Sequence, residues 1–128
     1  MQRKLATLLL ICLGLALAPA RAQKSKDATV ADPDVHQVVF ENEHVRVLKA
    51  HIAPGWKSPM HSHPPMLLIS IGSARFKLTS PEGKTQIVDF YPGMVLWRDA
   101  TEHSWELLAG DAQAVAVEVK SAQAAKGE

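Results

Sequence analysis

MLLISIGSARFKLT, residues 66–79, contains two short apolar runs separated by a turn-forming Gly-Ser pair. In the second run, Phe76 and Leu78 alternate with Arg75 and Lys77, so that one face is apolar and the other is charged. Alternation with a period of two is typical of a strand that has one face in a core. The stretch therefore predicts two consecutive strands joined by a tight turn.

The same pattern extends in both directions along the chain, and no amphipathic helix of useful length interrupts it. Between the apolar runs lie Pro-Gly, Gly-Asp and Ser-Pro-Glu-Gly sequences, which favour turns. We predict an all-β fold, a single antiparallel β-barrel or jelly roll of roughly eight strands. The predicted strands are 35–40, 45–52, 66–71, 74–79, 85–90, 94–97, 104–108 and 114–119.

The two ends of the chain differ from this region. Residues 1–22 have a basic start, an apolar run that contains the sole cysteine, Cys12, and the tripeptide Ala-Arg-Ala, which is the layout of a secretory signal peptide. We expect a flexible leader at residues 23–34, the β-barrel domain at 35–120 and a disordered or frayed tail at 121–128. The protein is thus predicted to be exported, either periplasmic or secreted.

Composition excludes several classes of function. Without residues 1–22 the formal charge falls from +1 to about −2, which does not favour nucleic acid as a partner. No second apolar stretch follows the signal, so we expect no membrane contact after cleavage. The sequence has no G-x-S-x-G nucleophile motif, no glycine-rich phosphate loop and, after processing, no thiol. An enzyme would have to work through a metal.

Two histidines in GWKSPMHSH, residues 55–63, suggest where that metal would bind. His61 and His63 are separated by one residue at the start of a predicted strand, so both imidazoles lie on one face, roughly 6–7 Å apart at the backbone. His103 is the best third ligand, because it follows the 94–97 strand after a short turn. The other histidines, His36, His44 and His51, are interpreted as surface or filler residues.

The same residues resemble the cupins, a family of antiparallel barrels with a first motif G-x5-H-x-H-x(3–4)-E-x6-G. Residues 55–63 match its G-x5-H-x-H, and residues 93–103 resemble the second cupin motif, one residue short. The resemblance implies His61, His63 and His103 as metal ligands. The glutamate of the first motif would fall at Leu67 or Leu68, which cannot bind a metal, so one protein ligand is missing.

A site of three neutral imidazoles favours iron, zinc, copper or nickel over harder ions, so we expect one divalent metal of this group as cofactor. Its coordination sphere would keep positions open to water or substrate. Continued alternation places Leu67 on the same face as the histidines, and Met66, Leu67 and Trp97 are candidates for lining a pocket. Glu106 is a candidate acceptor for an imidazole N–H.

The leading hypothesis is an exported small-molecule-binding cupin with a three-histidine divalent-metal site, either dioxygenase-like or isomerase-like if it is an enzyme. Arg98 is a candidate anchor for an anion, although its simpler interpretation is a surface charge. The alternative is a non-catalytic binding or structural module that has lost the metal. A homodimer formed through an edge strand is compatible with both.

Overall fold

The computed structural model describes residues 25–120, so the predicted signal peptide and the tail at 121–128 lie outside the described residues. Among residues 25–120, no helix is long and apolar enough to cross a membrane. In chain order the elements are β1 (Lys26–Asp27), α1 (Ala28–Ala31), β2 (His36–Glu41), β3 (Val45–Ile52), β4 (His61–His63), β5 (Met66–Ser70), β6 (Ala74–Thr79), β7 (Thr85–Phe90), β8 (Val95–Arg98), β9 (Thr101–Gly110) and β10 (Ala112–Val119).

The strands form two five-stranded sheets. The first has the order β1-β4-β9-β6-β7 and the second the order β2-β3-β10-β5-β8. All neighbouring strands are antiparallel except β1 and β4, which are parallel. The predicted all-β, antiparallel jelly roll is confirmed. The eight predicted strands correspond to the longer strands, the structure adds the short β1, and β4, which carries His61 and His63, is separate from β5.

The main core lies between the two sheets. Phe76 and Trp105 of the first sheet pack edge to face, with ring centroids 5.7 Å apart, and Phe76 makes a similar contact with Phe90 at 5.5 Å. The second sheet contributes smaller buried side chains, including Ala50 and Ala112. These alanines are too small to fill the space opposite the aromatic rings. A gap therefore remains between the two sheets, and the candidate site lies beside it.

Gly110 connects β9 and β10 and shows why this turn requires glycine. Its φ of +93° lies in the left-handed region that other residues rarely adopt. A Cβ at this position would also lie 2.1 Å from the carbonyl oxygen of Ser73. The absence of a side chain at Gly110 therefore allows the end of β9 to lie beside the start of β6.

Within the predicted leader, residues 23–34, the structure shows regular elements from Lys26 onwards, while residues 23 and 24 lie outside the described residues. Strand β1 pairs with β4, and the Asp27 carboxylate caps α1 by accepting a hydrogen bond of 2.9 Å from the Thr29 backbone N–H. Ala28 and Asp32 are buried. The segment is polar yet ordered because its polar groups find local partners, and it leads the chain into His36.

Candidate metal centre

Strand β4 places His61 and His63 on one side of the first sheet, as period-two alternation requires. Both side chains are buried. In the antiparallel pair β4–β9, His61 lies directly opposite His103. The ring centroid of His103 is 4.8 Å from that of His61 and 5.5 Å from that of His63. The structure thus brings the three histidines of the predicted site together.

A fourth histidine, His36, enters the cluster from the second sheet. Its ring centroid lies 5.0 Å from that of His61 and 5.2 Å from that of His63. His36 is therefore not a surface residue, because its side chain is buried against the other imidazoles. One ligand nitrogen from each of His36, His61 and His63 can be chosen so that all three lie within 4.8 Å of one another.

Hydrogen bonds fix the orientation of three of these rings and determine which ring nitrogen carries the proton. The Nδ1 atoms of His36, His61 and His63 lie 3.3, 2.8 and 2.8 Å from oxygens of Asp32, Pro59 and Glu118, respectively. Carbonyl and carboxylate oxygens only accept, so Nδ1 carries the proton in each neutral ring and Nε2 keeps its lone pair. His61 Nε2 is buried and has no hydrogen-bond partner among the described residues.

The carboxylate that contacts this cluster belongs to Glu118, which is fully buried, with 0 % of its surface exposed. Its Oε1 accepts from His63 Nδ1, while its Oε2 accepts from Arg46 Nε at 2.6 Å. Arg46 Nη2 continues the chain to Asp27 Oδ2 at 2.7 Å. Burial raises the pKa of Glu118, but the bonds from His63 and Arg46 outweigh it and lower that pKa below its usual range. Glu118 is therefore a carboxylate that orients His63.

Three histidines of the cluster, His36, His61 and His103, are neutral over most of the pH range. Burial, with the neighbouring imidazoles, lowers the pKa of His36 to about 4, and burial lowers that of His61 to about 4. Burial, His61, His63 and Arg98 lower the pKa of His103 to about 3. Neutral imidazole is the form that binds a metal, so the rings need not lose a proton to do so at neutral pH.

These pKa values predict that the metal-free protein loses stability as the pH falls below about 6.5. The unfolded chain protonates its histidines near that pH, whereas His36 and His61 in the folded state stay neutral to about pH 4. The unfolded state then binds more protons, and each of these histidines lowers the free energy of unfolding by up to ~1.4 kcal/mol per pH unit.

Urea unfolding of chelator-treated protein at pH 7, 6 and 5 measures this effect. A His44→Gln variant is the control, because His44 is exposed and outside the cluster. The unfolding free energy of the control should depend on pH as that of the wild type does. The unfolding free energy of His61→Gln should depend on pH less strongly. Equal stability of the wild type at pH 7 and pH 5 would contradict the prediction.

A cavity of about 90 Å³ opens beside the cluster, between the two sheets. His36, His63 and His103 form one part of its wall. The remaining polar lining residues are Ser70, Arg98 and Gln113, and the other lining residues are apolar: Ala50, Ile52, Met66, Leu68, Ala74, Phe76, Leu78, Phe90, Trp105, Ala112, Ala114 and Ala116. An apolar pocket with a few convergent polar groups is typical of a small-molecule site.

Comparison with known proteins gives structural matches only. No family model and no curated protein matches the sequence. A cupin domain from Bordetella pertussis superposes with a TM-score of 0.62 at 20% identity, covering 77% of this chain and 98% of that one. The chain has the cupin fold. An RmlC-like cupin from Methanocaldococcus jannaschii gives a TM-score of 0.51 at 16% identity, covering 66% of this chain and 78% of that one.

A variant of oxalate decarboxylase from Bacillus subtilis matches with a TM-score of 0.50 at 23% identity, covering 66% of this chain. This chain spans 24% of that protein's length. At such identities the likeness shows the cupin fold alone, which hosts many chemistries. The function must be argued from the residues of the site.

Two of the three predicted pocket residues face away from the cupin cavity. Met66 lines it, but Leu67 and Trp97 do not, and they lie opposite each other on β5 and β8. Trp97 is 56% exposed and donates from Nε1 to Asp99 at 3.1 Å. The prediction for Leu67 is wrong because alternation does not continue through Pro64, where the chain passes from the first sheet to the second. The prediction for Trp97 is wrong because residues opposite each other in an antiparallel pair share a face, and Trp97 lies opposite Leu67.

The prediction for Glu106 is also wrong. Its carboxylate lies on the opposite side of β9 from His103 and forms ion pairs of 3.2 Å with Lys57 and Lys77. Glu118 has the predicted role instead. One feature of the sequence points to it, namely that Glu118 shares a strand face with Ala114 and Ala116, where a single acid among small apolar residues needs a buried partner.

His36 adds an imidazole to the cluster of a chain in which Leu67 stands where the first cupin motif has its carboxylate. The three imidazoles with free Nε2 atoms, and above all the unpartnered Nε2 of buried His61, fit a divalent metal ion. A set of nitrogen donors without a carboxylate suits iron, zinc, copper or nickel. The spacing of the histidines in the sequence does not identify His36 as a ligand. Its place at the site depends on the ordered segment before β2.

Proposed function

We propose that this protein is an exported cupin that binds one divalent metal ion and a small molecule beside it. The observation that supports the metal most directly is the set of buried His36, His61 and His63 rings, whose protonated Nδ1 atoms face oxygen acceptors. That pattern leaves the Nε2 lone pair of each of the three rings available to a ligand. Export rests on the signal-like pattern of residues 1–22.

A bound ion would act as a Lewis acid towards an oxygen of the small molecule. The residues of the chain have separate parts in this proposal. His36, His61 and His63 hold the ion, while Glu118 keeps the Nδ1 proton on His63 and so keeps its Nε2 available. The apolar side chains of the cavity exclude water from the bound molecule.

We expect the purified protein to hold about one equivalent of a divalent metal and the His61→Gln variant to hold almost none. Removing one of three nitrogen donors leaves too few ligands for tight binding. Metal analysis after extensive dialysis measures the content, and His44→Gln is the matched control, since His44 is exposed. Thermal melts with and without chelator provide a second measure, because a metal that binds only the folded state raises the Tm.

Equal metal content in His61→Gln and His44→Gln would reject the metal site. If, in addition, neither chelator nor added iron, zinc, copper or nickel changed the Tm, the protein would be the non-catalytic module that has lost its metal. These two results together decide between the proposal and its alternative.

An enzyme, dioxygenase-like or isomerase-like, is the second candidate, and His103 is the observation that favours it. His103 lines the cavity, and no described residue forms a hydrogen bond with its ring. Since burial keeps the ring neutral, with a pKa of about 3, it can donate a hydrogen bond from one ring nitrogen to a bound molecule and accept one at the other. A metal site that is complete without His103 would leave this imidazole free for such a role.

A further inference from the structure

Arg98 is the one permanently charged side chain on the cavity wall among the described residues. It is the last residue of β8 and lies opposite Met66 of β5, which also lines the cavity. The residue is half-buried. No carboxylate lines the cavity, so the wall presents a positive charge without a compensating negative one.

The other two arginines of the described region have acidic partners. Arg46 pairs with Glu118 and Asp27, and Arg75 pairs with Asp89 at 3.6 Å. Arg98 forms no ion pair and no side-chain hydrogen bond with any residue between 25 and 120. A half-buried guanidinium carries donors in a fixed fork that matches a carboxylate, and leaving it unpaired beside an apolar cavity is costly.

Arg98 lines the same cavity of about 90 Å³ as His36, His63 and His103, so a molecule bound there lies between the arginine and the histidine cluster. A ligand that contacted both the cluster and Arg98 would therefore lie between two positive centres when a divalent ion is bound. Such a place favours a negative charge.

We propose that the cavity selects a small monocarboxylate, whose carboxylate is held between Arg98 and the metal centre and whose apolar body lies among the apolar side chains. This inference rests on the proposed metal-binding function. The cavity of about 90 Å³ has room for roughly six waters at ~15 Å³ each, so the acid has only a few carbon atoms. Arg98 is then the residue that determines specificity for charge.

Butanoate and butanamide are suitable probes because they have nearly the same shape and differ in charge. We expect the metal-loaded protein to bind butanoate at least about tenfold more tightly than butanamide in isothermal titration calorimetry, since hydrogen bonds to charged groups contribute more than neutral ones. Arg98→Gln should lose this preference. Arg75→Gln should keep it, because Arg75 lies on the surface and pairs with Asp89.

The metal content of the same samples separates this inference from the proposed function. If metal is bound and the wild type shows no preference, or if Arg98→Gln keeps the preference, the inference is overturned and the metal-binding function stands. If no metal is bound, the proposed function falls, and the inference falls with it, because the carboxylate would have no metal centre to contact.

Discussion

Replacing His36 with glutamine will abolish tight metal binding, whereas replacing His103 with glutamine will leave it largely intact. His36 belongs with His61 and His63 to the group whose ligand atoms lie within 4.8 Å of one another. Its Nδ1 faces the carbonyl oxygen of Asp32, so its Nε2 is ready to bind. No described residue orients the ring of His103 in this way.

The expected loss for His36→Gln is at least about 100-fold in metal affinity, since even the loss of a partner behind a ligand costs roughly 10–100-fold. Competition with a chromophoric chelator measures it for zinc and for ferrous iron under anaerobic conditions. The result that contradicts this prediction is the reverse order, with metal lost from His103→Gln and retained by His36→Gln. The ligands would then be His61, His63 and His103, as the sequence indicated.

Replacing Glu118 with alanine will lower the free energy of unfolding by about 3–5 kcal/mol. The side chain is 1% exposed and accepts hydrogen bonds from both Arg46 and His63. Its removal leaves Arg46, whose side chain is 19% exposed, and the Nδ1–H of His63 without their buried acceptor. Arg46 keeps Asp27 as a counter-ion, but its Nε–H and the Nδ1–H of His63 lose their acceptor where little water can replace it, which is costly.

The matched control for this prediction is Glu106→Ala, which removes a carboxylate paired with Lys57 and Lys77 on the surface. Exposed pairs contribute about 0.2–1 kcal/mol, so the control should lie near the wild type in urea unfolding. The metal affinity of Glu118→Gln should also fall by about 10–100-fold, because an amide no longer fixes the proton of His63 as a carboxylate does. Similar unfolding free energies for Glu118→Ala and Glu106→Ala would show that the buried network does not stabilise the fold.

Much of the fold could be predicted because it depends on local patterns. Alternation along residues 74–79 follows from the pleat of a strand, and the turn residues between the runs follow from the conformations that glycine and proline prefer. Strand β1 is too short to produce such a pattern, and β4 is indicated only by its two histidines and not as a strand separate from β5. They form because each gains hydrogen bonds from a neighbouring strand that the sequence does not identify.

The candidate site divides in the same way. His61 and His63 are two residues apart on one strand, so the sequence by itself determined that their rings share a face. Whether Leu67 or Met66 faces the cavity depended on where the chain changes sheets, because a turn between sheets resets the parity of alternation.

Only the tertiary structure decided that His36 joins the cluster, that Glu118 orients His63 across 55 residues of sequence, and that Arg98 lines the cavity. These contacts come from strand pairing and sheet packing between distant parts of the chain. Periodicity reports only which face of its own strand a residue occupies. It carries no information about which other strand lies opposite that face, and at this site the opposite strands supply the third imidazole, the buried carboxylate and the free arginine.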